Sequence, residues 1–160
     1  MRILQAVSSF VAVGPAWSVD WLWGLPLIVL TVVLHILYLG PIRIRVVRAY
    51  IRTSERHNHL TRFVIVMGAT TLLATILHGA EASLWAVAYR LLGALHDNGS
   101  AALYSLNAIT SYGHTNLQLD ARWELMGALE SLNGWLLFGL TTAFLFATIE
   151  KVWARDEANQ

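Results

Sequence analysis

Three long apolar runs separated by short polar stretches set the pattern of this chain. The first, WLWGLPLIVLTVVLHILYLGPI, lies between Asp20 and Arg43 without an Asp, Glu, Lys or Arg, and at roughly 20 residues it matches a bilayer's hydrocarbon thickness as a helix. Trp17, Trp21 and Trp23 at one end and Tyr38 at the other suit the two interfaces. The second run begins at Phe63 and continues to about Leu95, interrupted by His78, Glu81 and Arg90, which is long enough to cross and project beyond one face. The third extends from about Arg122 to Ile149, with Glu124 and Glu130 near its start. The pattern predicts an all-α membrane protein with transmembrane helices over 21–42, 63–95 and 122–150.

Between the second and third runs lies NGSAALYSLNAITSYGHTNLQL, Asn98 to Leu119, an uncharged stretch with Ser, Thr, Tyr, Gly and His at its centre. It is too polar for a plain span and too apolar for an ordinary surface loop. Irregular backbone is tolerated at membrane depth only where protein buries it or where it lines a water-filled path, so this stretch predicts a re-entrant pore loop over 100–116. Asp97-Asn98-Gly99-Ser100 is turn chemistry leading to a helix N-cap, after which AALYSLNAIT forms a short helix whose C-terminus points into the membrane. The partial negative charge of that end favours a cation, and carbonyls of the extended residues after it can replace a hydration shell. Glu130, one turn before Gly134, is a candidate support for this helix through Asn107 or a filter hydroxyl.

Composition agrees with the membrane reading: the hydrophobic fraction is 56%, the charged fraction 13% and the mean hydropathy +0.54. The chain has no cysteine, which removes disulfides and thiolate chemistry. No zinc, phosphate-loop or nucleophile signature appears, so neither an enzyme, a cofactor nor a nucleic-acid partner is expected. Net charge is only +1, but its distribution is uneven. Arg43, Arg45, Arg48, Arg52, Arg56 and Arg62 crowd residues 43–62, which are expected to form a basic cytoplasmic loop. The N-terminus then lies outside the cell membrane, and the tail 151–160 inside. The interleaved Ile42, Ile44, Val46, Val47, Tyr50 and Ile51 suit binding of anionic lipid by Arg43, Arg45, Arg48, Arg52 and Arg56; orientation alone is the simpler reading, and a voltage sensor the least economical. Residues 1–20 are expected to form an interfacial lead-in, with a cleaved signal peptide starting at Arg2 as the alternative.

His78 and Glu81 stand three apart and share a helix face, so pairing with each other or with a second subunit is expected; an intramembrane ionisable group is also a functional candidate by default.

The stretch around Ser105-Leu106 resembles the pore of the tetrameric potassium-channel family, in which an outer helix, a pore helix, a filter and an inner helix repeat around an axis. Aligned without gaps, the family's filter falls on Thr110, Ser111, Tyr112, Gly113, His114 and Thr115, with Asn116 at its mouth; matching Tyr112-Gly113 to the family's Tyr-Gly pair instead requires a deletion in the pore helix. A second likeness lies in GWLLFGL, Gly134 to Leu140, similar to the family's inner-helix pattern of two glycines five apart. Gly134 and Gly139 then serve close packing or a gating hinge. The resemblance covers residues 63–150 and leaves the first span without a counterpart.

This likeness implies a homotetramer that conducts potassium passively. His114, Thr115 and Asn116 replace an aromatic, a glycine and an aspartate, and β-branched Thr115 resists the backbone geometry of a filter glycine. A wider, shorter or less selective filter that passes sodium beside potassium is therefore expected. His114 either stands at the outer mouth, where its protonation opposes cation entry, or packs behind the filter. The alternative to conduction is a non-conducting channel homologue with a structural or regulatory membrane role.

Overall fold

The computed structural model describes the backbone of residues 2–52, 59–113 and 116–157, and the side chains of 18–50, 60–113 and 116–154. Four α-helices and one 3-10 turn follow in order: α1 Arg2–Arg52, α2 His59–Leu91, α3 Asn98–Ile109, the turn Ala121–Trp123 and α4 Glu124–Glu157. No strand occurs among the described residues. Three helical stretches are long and apolar enough to cross a membrane: Ser18–Tyr50, Leu60–Leu91 and Ala121–Ala154. With 33, 32 and 34 residues, each is about 50 Å long, more than the ~30 Å hydrocarbon core.

The outer faces of these helices are apolar. Leu22, Val29, Leu37, Leu72, Ile76, Trp135 and Phe138 are all exposed, a surface that water penalises and lipid does not. The fold is thus that of a multi-pass membrane protein.

Several boundaries differ from those expected. The residues 43–52 form no loop: α1 runs through to Arg52, so Arg43, Arg45 and Arg48 stand on its last turns. The lead-in is likewise helical from Arg2, with Pro26 and Pro41 inside the same helix; proline is tolerated in apolar spans because neighbours re-satisfy the freed carbonyl. At the other end, α4 continues into the predicted tail as far as Glu157. Helix α2 stops at Leu91 rather than Leu95, because Gly93 takes φ +69 and Ala94 N–H donates to Tyr89 O at 2.9 Å while Gly93 N–H reaches Arg90 O. This is a Schellman closure, for which glycine is the least strained residue.

The chain divides into two compact units, Met1–Thr31 with Ala82–Trp135, and Val32–Glu81 with Leu136–Gln160. In the first, Trp85 and Tyr89 of α2, Tyr104 of α3, and Trp123, Met126 and Leu129 of α4 form the core. Tyr89 and Tyr104 meet edge to face at 5.3 Å, a favoured aromatic arrangement. Helix α1 joins this unit where Gly24 faces Leu129 and Thr31 faces Asn133, so α1 and α4 run in the same direction there. In the second unit the buried residues include His35, Leu39 and Tyr50 of α1, Ala74, Leu77 and Glu81 of α2, and Leu137, Thr148 and Val152 of α4. Arg62 stacks over the Tyr50 ring at 4.7 Å, and Phe63 meets Trp153 at 6.4 Å between ring centres.

Candidate functional site

Helix α3 is started by Asp97, not Ser100: the Asp97 carboxylate accepts the Ser100 backbone N–H at 2.7 Å. That bond holds the Asp97 carboxyl below its ordinary value of 3.8. Arg90, just before the end of α2, donates to Asn98 Oδ1 at 2.6 Å and to Leu95 O at 2.9 Å, which fixes the short connection.

From this start α3 runs alongside α4 in the same direction. Tyr104 lies against Gly127, Ser131 donates to the carbonyl of Ala108 at 2.9 Å, and the carbonyl of Ile109 lies against Gly134. Gly134 is ten residues beyond Glu124, so the end of α3 sits about 15 Å along α4 from its first residue. The chain then comes back from Thr110 to the 3-10 turn at Ala121. Gly134 therefore serves close packing, since any Cβ would collide with the Ile109 backbone, whereas Gly139 has open space around it.

Glu130 anchors α3, and its partner is Ser105 rather than Asn107. Fully buried, it accepts from Tyr89 Oη at 2.6 Å and contacts Ser105 Oγ, which also donates to the carbonyl of Ala82 at 2.5 Å. A single serine hydrogen cannot serve both the Ala82 carbonyl and an ionised carboxylate. Were Glu130 neutral, it would donate to Ser105 and Ser105 to Ala82, and each of these groups would be paired.

Thr110 and Ser111 do not form an extended strand. Ser111 takes φ 55, Ser111 N–H donates to Ala108 O and Tyr112 N–H to Asn107 O, both at 2.9 Å. This Schellman closure engages two carbonyls at the end of α3 and puts a non-glycine residue in left-handed geometry, a strain of about 1–2 kcal/mol. Tyr112 is 85% exposed, Gly113 has φ +92, and Asn116 is exposed. His114 and Thr115 lie outside the described residues. Beside the loop, Tyr104, Asn107, Ser111, Gly113, Gly127 and Ser131 line an open cavity of ≈ 310 Å³.

Of the arginines, Arg45 and Arg48 are exposed on one face of α1 and Arg43 is half-buried, while the side chains of Arg52 and Arg56 lie outside the described residues.

A second polar cluster occupies the other unit. Glu81 meets His78 as its spacing predicts, with Oε2 3.3 Å from His78 Nδ1. It also meets His35, whose Nδ1 is 2.7 Å from Oε1. The Nε2 atoms of both histidines lie 3.0 Å from the single hydroxyl of Thr141. His35, Thr141 and the buried Thr31–Asn133 pair were not singled out from sequence. A histidine and threonines inside an apolar run were the available signal, as polar groups in a span seek partners on other helices.

Comparison with known proteins finds no matching family model, no matching curated protein and no matching solved structure.

Proposed function

We propose that the chain is a passive cation channel that assembles as a homotetramer, with a re-entrant loop of α3 and residues 110–116 from each subunit around a shared axis. The observation that carries this reading is the path of α3. It lies beside α4 as far as Gly134 and then doubles back to the start of the same helix, the course of a re-entrant loop. The anchoring of α3 by Glu130 and the exposure of Leu103, Leu106, Tyr112 and Gly113 support it. Such a loop at membrane depth needs either protein cover or a water-filled path, and neighbouring subunits supply both.

Potassium and sodium are the permeant ions of this reading. The left-handed backbone at Ser111 interrupts the extended run that a filter over 110–115 needs, which favours a short filter of modest selectivity. The basic end of α1 belongs to the cytoplasmic side, which places the N-terminus outside and the C-terminus inside the cell membrane. The same left-handed turn favours a second reading, a non-conducting structural homologue, if it persists in the assembled protein.

Reconstitution of the full chain into liposomes with opposed K⁺ and Na⁺ gradients tests the proposal. Flux of both ions, lost in Gly113→Ala with assembly intact by size-exclusion chromatography, is expected. Wild-type protein passing neither ion across the pH range 5–8 and under either voltage polarity overturns conduction and leaves the structural reading.

A further inference from the structure

We infer that His35, His78 and Glu81 form a binding site for one divalent transition-metal ion of the zinc class, joining α1 to α2. The site is separate from the α3 loop and does not depend on conduction.

The two imidazoles and the carboxylate converge, with one ligand atom from each lying within 4.8 Å of the others. His35 and Glu81 are fully buried and His78 is 30% exposed, so the cluster is open on one side. Glu81 Oε2 is buried and makes no hydrogen bond, although His78 Nδ1 lies only 3.3 Å away. That separation suits two ligands of one tetrahedral ion: metal–ligand bonds of about 2.0–2.1 Å place neighbouring donor atoms ~3.3 Å apart.

Proton counting bears on the same pair. The ring contains four polar contacts: each Nδ1 to Glu81, and each Nε2 to Thr141. Two neutral histidines bring two hydrogens and Thr141 brings one, which serve the three hydrogen-bonded contacts and leave Glu81 Oε2 and His78 Nδ1 facing each other, lone pair to lone pair, without a hydrogen between them. One positive centre is missing. A metal ion on both Nδ1 atoms and Glu81 supplies it and moves both imidazole hydrogens to Nε2. Each Nε2–H then donates to Thr141 Oγ1, whose two lone pairs match the two donors. Orientation of metal-bound histidines by an oxygen on the far nitrogen is the usual outer shell of such sites.

Two histidines and one carboxylate with room for a solvent ligand is a donor set of zinc sites. Imidazole nitrogen disfavours calcium and magnesium, which take oxygen. The open side at His78 provides the entry path and the fourth position.

The test uses the full chain in detergent, stripped with a chelator and desalted. Titration with Co²⁺ is expected to produce the visible absorption of a four-coordinate site, saturating at one ion per chain and abolished by Zn²⁺. Binding weakened at least tenfold in His35→Gln and Glu81→Gln, and unchanged in His96→Gln at an exposed position outside the cluster, supports the site. Thr141→Val keeps all three ligands, and its affinity is expected to fall by about 10–100-fold. Should the ligand variants fail to fold, zinc-edge X-ray absorption of the wild-type protein decides: imidazole scattering supports the site, and an all-oxygen shell overturns it. Absence of Co²⁺ and Zn²⁺ binding by wild type also overturns it, leaving a proton as the fourth hydrogen of the ring. Undiminished binding in a folded Glu81→Gln variant overturns it as well.

Discussion

The backbone carbonyl of Ile109 rests against Gly134, and this contact sets how far α3 reaches along α4. A methyl group at Gly134 meets backbone, which cannot rotate away as a side chain can. Gly134→Ala is expected to destabilise the protein by about 1–3 kcal/mol, the range for overpacking a closed site. Gly139→Ala meets nothing within 4 Å and is expected to leave the unfolding temperature unchanged. Thermal unfolding of both variants in detergent checks the contrast. Loss of ion flux in Gly139→Ala at unchanged stability would assign Gly139 to gating.

Glu130, Tyr89 and Ser105 provide a test of protonation state. If Glu130 is neutral, glutamine reproduces its pattern, accepting from Tyr89 and donating to Ser105. Glu130→Gln is then expected to unfold close to wild type. Glu130→Ala leaves the buried Tyr89 hydroxyl without its acceptor and opens a cavity, at a cost of about 2–4 kcal/mol. Equal losses in the two variants would show that the carboxylate is ionised and held by charge.

Much of this architecture was legible in the apolar runs, because a bilayer-length helix needs little more than unbroken hydrophobicity. The short helix α3 was legible too, from Asp97-Asn98-Gly99-Ser100 and the polar-apolar mixture after it. Helix ends were less legible: arginines at 43–52 suggested a loop, yet arginine is a good helix former and no Pro or Gly breaks that stretch. The His35 cluster was the largest omission. His35 meets Glu81 across 46 positions and Thr141 across 106, and the helix directions that bring them together are properties of the packed chain. The turn at Ser111 was equally hidden, since serine carries no signal for left-handed backbone.

The start of α3 is sensitive to acid. Hydrogen bonding from Ser100 N–H depresses the Asp97 carboxyl below 3.8 in the folded protein, so the folded state binds this proton less readily than the unfolded chain. The cap is complete above that value and is lost as the pH falls through the depressed one. Amide exchange at Ser100 and Ala101 is expected to rise at pH values below 3.8 in wild type. Asp97→Asn keeps an acceptor without a titrating proton and is expected to flatten that dependence.

Arg45 and Arg48 stand three apart on the exposed face at the end of α1, next to apolar Ile44. Basic groups beside a span attract anionic headgroups by about 1 kcal/mol each. Thermal stabilisation by phosphatidylglycerol over phosphatidylcholine is expected in wild type, and Arg45→Gln with Arg48→Gln is expected to remove most of it. An undiminished lipid preference in the double variant would limit these residues to setting orientation.

Thr31 and Asn133 give α1 a specific place beside α4, beyond apolar contact. Asn133 Nδ2 donates to Thr31 Oγ1 at 2.8 Å, and the threonine hydrogen passes to the carbonyls of Leu27 and Ile28 at 2.9 and 3.0 Å. Both residues are fully buried, so the amide has no water to replace this partner. Thr31→Val preserves shape and removes the acceptor, and is expected to cost about 1–3 kcal/mol, the penalty of an unpaired buried polar group. Thr31→Ser keeps the oxygen and is expected to cost less. Because the penalty resides in the stranded amide, Thr31→Val combined with Asn133→Leu is expected to recover part of the loss, and a double-mutant cycle on thermal unfolding measures that coupling. Additive losses would show that the two side chains do not depend on each other and that α1 is held there by apolar packing alone.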